Sequence, residues 1–159
     1  MRVRQRAYFG VWSATLTPPE ITGALGIEPD EVMARGARRA GPPPTPKYHL
    51  WKVLSGLPME GPVGPHLEAI MPRIEPAKDR FRDLLHGDDG TFARLELVRH
   101  FEAGDEDFDE ETYGLGEKEL AKGWKRLSGQ HPFLGFAIER QVIAFLDYIG
   151  AYMDIDEYG

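Results

Sequence analysis

The stretch RAYFGVWSATLTPPEITGALG, residues 6–26, contains the two patterns from which the fold can be derived. Its first part, residues 6–16, is rich in aromatic and β-branched side chains and predicts a buried strand, with Gly10 at a bulge. Thr17 then suits the N-cap of a helix, and Glu20 falls where a capping box requires it, with proline at the first helical position. The glycine that closes the stretch is suited to end the helix. The chain is therefore predicted to open with a strand followed by a short helix.

The remaining chain repeats these patterns. Strands are predicted at residues 48–54, 91–101, 132–138 and 151–158, and helices at 67–85, interrupted by Pro72 and Pro76, and at 139–149. A short helical turn is predicted from Pro29 to about Gly36. Trp12 and Trp51 lie on predicted strands and are expected to fill the core. The order predicts an α+β fold: a mostly antiparallel sheet with helices on one face, of ferredoxin-like character.

Length and composition limit the possible classes of protein. The 159 residues fit a single domain, residues 1–159, with a proline-rich loop at 41–46 and an acidic loop at 102–131. The absence of cysteine excludes a disulfide scaffold and thiol catalysis and suits a cytoplasmic protein. The net charge of −7 argues against nucleic acid as a partner, and no apolar run is long enough for a membrane span.

Acidic residues are concentrated in one segment, EAGDEDFDEETYGLGEKE at 102–119, which holds nine acids and one lysine. A solubilising insertion explains this composition, and so does an acidic patch that binds a basic protein. A calcium loop fits poorly, because the glycine and the terminal glutamate of an EF-hand loop are out of place. The partner that the sequence suggests is therefore a basic protein, and the oligomeric state is left open.

Several short motifs together resemble a known family. They are WSATLTPPEIT at 12–22, LGIEPD at 25–30, Arg35-Gly36, Leu50-Trp51, Gly135-Phe136 and IGAYMDIDEY at 149–158. In this combination the chain resembles the bacterial domain-of-unknown-function family 4279 (DUF4279). The resemblance implies a small bacterial domain and no activity that can be carried over to particular residues.

Asp154 and Asp156 are the first candidate site residues. Alternate positions on a strand point to one face, so the two carboxylates suit a basic partner, a small ligand or a divalent cation. Two carboxylates alone rarely hold a metal, and no metal site is assigned. A solvent-facing strand end explains the same residues.

Five further residues are tentative binding residues. A locally bonded histidine and a core tryptophan explain His49 and Trp51, and the alternative is that the two side chains line one pocket. The other three are Arg35, Arg38 and Arg39, which form a small basic cluster. The cluster suits an anion or an acidic partner, and solvent-exposed charged side chains explain it as well.

Signatures of catalysis and of cofactor binding are missing. The three serines lie outside a G-x-S-x-G motif, the histidines form no metal-binding pair, and no phosphate-binding glycine loop occurs. No cofactor is implied. The sequence therefore favours a non-enzymatic protein-binding module that uses its sheet edge or acidic loop, and a toxin-neutralising immunity protein is one version. The alternative is a metal-binding or small-molecule-binding domain, or an enzyme, that uses the Asp154/Asp156 end.

Overall fold

The computed structural model describes residues 2–36, 46–102 and 135–159. The strands are β1 (Arg2–Ser13), β2 (Glu31–Met33), β3 (His49–Leu54), β4 (Thr91–Glu102) and β5 (Tyr152–Tyr158). The helices are α1 (Pro18–Leu25), α2 (Val63–Ile74), α3 (Lys78–Gly87) and α4 (Arg140–Ile149), with a 3-10 turn at Glu75–Ala77. Of the predicted proline-rich loop at 41–46, residues 41–45 lie outside the described residues, and of the predicted acidic loop at 102–131, residues 103–131 do.

The strands form one mixed sheet in the order β2-β3-β1-β4-β5. β1 is central and pairs antiparallel with β3 and β4, and β2 pairs antiparallel with β3. β5 lies parallel to β4, because α4 carries the chain back across the sheet before β5 begins. The predicted α+β class and the mostly antiparallel sheet are confirmed.

The predicted capping box begins α1. The Glu20 carboxylate accepts a hydrogen bond from the Thr17 backbone N–H at 2.8 Å, and Gly26 ends the helix at φ 65°. The indole N–H of Trp51 then donates to the Thr22 hydroxyl at 3.1 Å. This hydrogen bond ties α1 to β3.

The predicted interruption of the helical region is confirmed at Pro76 but not at Pro72. α2 ends at Ile74, the 3-10 turn follows, and α3 begins at Lys78, because Pro76 cannot donate the N–H that a continuous helix needs. Pro72 lies inside α2. Within the described residues, no helix combines the length and the apolar character needed to cross a membrane.

The core lies between the sheet and the helices. All four described helices contribute to one buried cluster with alternate residues of β1, β3 and β4. Phe81 of α3 is fully buried at its centre and makes edge-to-face contacts with Phe9, Trp51 and Phe145, at centroid distances of 5.2, 6.3 and 6.2 Å. The predicted placement of helices on one face is therefore confirmed within the described part of the chain.

The helical turn predicted after Pro29 is wrong, because the chain there forms strand β2. The Asp30 N–H donates to the Lys52 carbonyl at 2.8 Å, and Val32 pairs with Trp51 in the register of the sheet. Three residues are too few for the local helix propensity to outweigh pairing with β3.

The strand predicted at 132–138 is wrong over the four residues that the structure describes. Gly135 to Ile138 form no strand; Phe136 and Ile138 are half-buried, whereas Gly135 and Ala137 are exposed. The alternation in the sequence is therefore real, but it reflects an irregular segment that packs on the core before α4. Residues 132–134 lie outside the described part.

The bulge predicted at Gly10 and the core position predicted for Trp12 are both wrong. Pairing runs without interruption through Gly10, opposite Lys52 on one side and Arg94 on the other. A Cβ at this glycine would lie 2.5 Å from the Trp12 indole, so the glycine makes room for that ring. Trp12 is half-buried on the helix-free side of the sheet, where it stacks on Phe92 at 5.7 Å.

His66 of α2 is buried beneath the loop that follows β3. Its Nδ1 lies 2.6 Å from the Ser55 hydroxyl, and its exposed fraction is 1%. Burial lowers the pKa of His66, and the Pro58 backbone opposes this shift only in part. The neutral imidazole is therefore the form that stabilises the fold.

We expect the free energy of unfolding to fall as the pH drops below about 6.5, the usual pKa of an unfolded histidine. In that range His66 is protonated in the unfolded chain but stays neutral in the folded chain, because burial lowers its pKa. Urea unfolding between pH 7 and 5.5 measures the slope, which His66→Gln should flatten. His86→Gln, at an exposed histidine, is the matched control. An unchanged slope in His66→Gln would show that another group titrates.

Candidate functional site

The side of the sheet opposite the helices, called the open face, carries a chain of charged groups. Arg94 of β4 forms a short ion pair with Asp154 of β5 and a second ion pair with Glu96, Nε to Oε2 at 3.0 Å. Its guanidinium also lies 4.3 Å from the centroid of the Trp12 ring. Arg94 therefore joins β1, β4 and β5 across this face.

Tyr8 of β1 is hydrogen-bonded to Glu96 and so joins this group of interacting side chains. Its ring is 6% exposed, and burial, followed by the hydrogen bond to Glu96, raises the pKa of its hydroxyl. Lys52 of β3 lies 4.1 Å above the ring. Tyr8 is thus a neutral hydrogen-bond donor to a buried carboxylate.

Asp154 and Asp156 lie on the open face, opposite Glu96 and Val98 in the register with β4. Asp154 is engaged by Arg94, whereas the one hydrogen bond that the Asp156 carboxylate accepts from a described residue is long, 3.4 Å, from the hydroxyl of Tyr158. Within the described ranges, no group of three or more metal-ligating side chains occurs. Asp154 is therefore part of an ion pair, whereas Asp156 is a half-buried carboxylate with no ion pair among the described residues.

β5 forms one edge of the described sheet, and its apolar side chains are unusually exposed. Tyr152, Ile155 and Tyr158 are 50, 43 and 51% exposed. Ile143 and Tyr148 of α4 add to the same part of the chain, so α4 and β5 hold five of the eight exposed large apolar side chains among the described residues. Exposed aromatic and aliphatic groups beside a free strand edge are typical of a protein-binding surface.

The other predicted binding residues that the structure describes are Arg35, His49 and Trp51, and none of them lies on β5. The Arg35 backbone N–H donates to His49 Nδ1 at 3.0 Å, and its guanidinium donates to the Ala14 carbonyl at 2.8 Å. Trp51 is fully buried in the core. Arg38 and Arg39 lie outside the described residues. The structure thus brings Arg35 and His49 together, as a brace between β3 and the turn after β1.

Arg94 is the site residue that sequence reasoning missed. The signal was present, since Arg94 and Glu96 are charged residues that alternate with the apolar residues Ala93, Leu95 and Leu97 of β4. Their partner could not be identified without the parallel register that places Asp154 beside them.

Comparison with known families gives one match. A family model described as "Domain of unknown function (DUF4279)" matches residues 2–116. No curated protein and no solved structure matches the chain. The match covers β1 through β4, whereas α4 and β5, which carry most of the exposed apolar side chains, come after it.

Proposed function

Because the chain belongs to the DUF4279 family, whose description names no activity, we propose a function from the surface: a protein-binding module that holds its partner along β5. The observation that carries this proposal is the concentration of exposed Tyr152, Ile155 and Tyr158 on an edge strand. An immunity protein that neutralises a toxin by such an interface is one form of this function.

An edge strand offers two kinds of contact. Its outer backbone N–H and C=O groups can pair with an extended segment of a partner, and alternate side chains supply specificity. β5 has seven residues, Tyr152–Tyr158, which is the length of an ordinary strand. Tyrosine is favoured in interfaces because it buries a large apolar ring and keeps a polar hydroxyl in contact with water.

The charge of the molecule favours a basic partner. The full chain carries a net charge of −7, which steers positively charged proteins toward it. Arg94 and Arg99 of β4 pair with Asp154 and Glu157 of β5, so within the described residues Asp156 is the β5 carboxylate that forms no ion pair. A basic segment gains from this charge, whereas an acidic one is repelled.

Ile155→Lys is expected to weaken partner binding at least about tenfold, or 1.4 kcal/mol, because it places a charge at the centre of the edge. Val32→Lys is the matched control, since Val32 is 56% exposed on β2 at the opposite edge. The partner is first captured from the source cells by the wild-type chain, then purified and titrated against all three proteins. Hydrogen exchange on the complex should show new protection of β5 amides. Equal affinity of Ile155→Lys and the wild type would contradict the proposal.

A further inference from the structure

A groove separates α2 from the beginning of α4, on the helical side of the protein. Its volume is about 380 Å³, within the range of ligand-binding clefts. The floor is apolar, because Leu67 and Met71 of α2 and Val142 of α4 line it and are themselves buried. The groove can therefore take apolar side chains from outside without any rearrangement of the core.

The rim of the groove is acidic. Three glutamates line it, Glu68 and Glu75 from the α2 side and Glu139 immediately before α4, and no described lining residue is Lys, Arg or His. Glu75 accepts a hydrogen bond from the Gln141 side chain at 2.7 Å. Glu68 and Glu139 are exposed and form no ion pair within the described part of the chain. Their charges are thus available to a cationic group.

The backbone of α2 adds a further acceptor to the same wall. Pro72 lines the groove and has no N–H, so the carbonyl of Glu68, four residues earlier, lacks its usual helical donor. The Glu139 side chain makes no capping bond to α4. The Glu68 carbonyl and the Glu139 carboxylate thus add two acceptors to the wall of the groove.

We propose that this groove binds a cationic amphipathic segment of a partner protein. Apolar side chains on one face of such a segment fill the floor, and Lys or Arg on its flanks meet Glu68 and Glu139. This is the helix-in-groove mode of recognition, with charge complementarity selecting the partner. An acidic segment is excluded by the rim. The inference is independent of the β5 edge, and it can hold or fail separately.

A synthetic amphipathic peptide of about 14 residues, four helical turns of Leu and Lys, is the probe. Its binding to the full chain is measured by calorimetry beside two further peptides: the same pattern with Glu for Lys, and a scrambled Leu/Lys peptide that is not amphipathic. We expect the amphipathic Leu/Lys peptide to bind at least about tenfold more tightly than either. Equal binding of the scrambled peptide would overturn the proposal, because attraction to a negatively charged protein would then suffice.

Two kinds of variant locate the binding. Glu68→Lys with Glu139→Lys should weaken binding at least about tenfold, whereas Glu28→Lys with Asp89→Lys, at exposed positions outside the groove lining, changes the net charge equally and should have little effect. Ala137→Trp fills the groove without changing its charge and should also weaken binding, and Ala137 is exposed, so the fold tolerates the larger ring. Unchanged affinity in Ala137→Trp, or no binding of the peptide at about 1 mM, would overturn the proposal.

Discussion

Phe81→Ala should cost about 3–5 kcal/mol of folding free energy, the usual cost of truncating a fully buried phenylalanine. Domains of this kind are stable by only about 5–15 kcal/mol, so the variant should lie close to its unfolding transition at 25 °C. The reason is the central position of the ring, which contacts Phe9 of β1, Trp51 of β3 and Phe145 of α4. Alanine leaves a cavity among three rings that are held by three different elements.

Urea unfolding followed by tryptophan fluorescence measures this loss, since Trp51 lies in the affected cluster. Phe81→Leu retains much of the apolar volume and should cost clearly less. Leu84→Ala, at a partly buried position of the same helix, is the control for a change in α3 alone. A cost below about 1.5 kcal/mol for Phe81→Ala would mean that the neighbouring rings close the cavity.

The parts of the fold that were predicted correctly are those determined by local chemistry. Thr17 and Glu20 mark the beginning of α1, and Gly150, at φ 73°, marks the end of α4. Pro76 divides the helical region because a missing N–H acts within one turn. Each of these signals involves residues no more than four positions apart, so the sequence alone contains the whole interaction.

The parts that were missed depend on distant pairing. β2 is a strand because β3 offers a partner, and the apolar alternation of Gly135 to Ile138 is satisfied by side-chain packing instead of a ladder. The ion pair between Arg94 and Asp154 joins residues that are 60 positions apart in the chain. A local pattern predicts which face a residue lies on, but the partner is fixed by the register between strands.

The candidate binding surfaces also divide into features that local sequence determines and features that distant contacts determine. The alternation that places Asp154 and Asp156 on one face was predicted from the strand pattern, and the register with β4 confirms it. The groove between α2 and α4 was not predicted, because its floor and rim come from two helices whose approach is decided by the shared core. The sequence also shows a second acidic region, at 102–119, of which residues 103–119 lie outside the described part of the chain.

Arg99 is a buried charge that holds one end of the sheet together. It is 2% exposed, and it donates to Glu157 of β5 and, through Nε, to the Gln5 side chain of β1 at 3.2 Å. Its guanidinium lies 5.0 Å from the Phe101 ring centroid and 5.1 Å from that of Phe136. One side chain therefore connects β1, β4, β5 and the segment that leads into α4.

Arg99→Leu is expected to cost about 2–4 kcal/mol, because it removes a charge-assisted pair and leaves the buried Gln5 carbonyl without this donor. Glu157 is half-exposed, so in Arg99→Leu water can replace its lost partner. Glu157→Gln keeps an acceptor but removes the counter-charge of a buried guanidinium, and should cost about 1–3 kcal/mol. The two variants therefore measure separately the stability lost when the buried Arg99 and when the half-exposed Glu157 is replaced. Chemical unfolding of both, beside Arg99→Lys, measures the difference, and Lys should recover only part of the loss because it lacks the planar fork.

The double variant Arg99→Leu with Gln5→Leu distinguishes two origins of this cost. If the penalty arises from the unsatisfied Gln5 carbonyl, replacing both groups with apolar side chains should return part of the stability, since a matched apolar pair has no polar atom to desolvate. If the penalty arises from lost stacking on Phe101 and Phe136, the second substitution should add to the first. The Gln5 amide also donates to the Gly61 carbonyl at 2.9 Å, so the recovery should be incomplete even in the first case. A double-mutant coupling near zero would place the role of Arg99 in its contacts with the two rings and with Glu157.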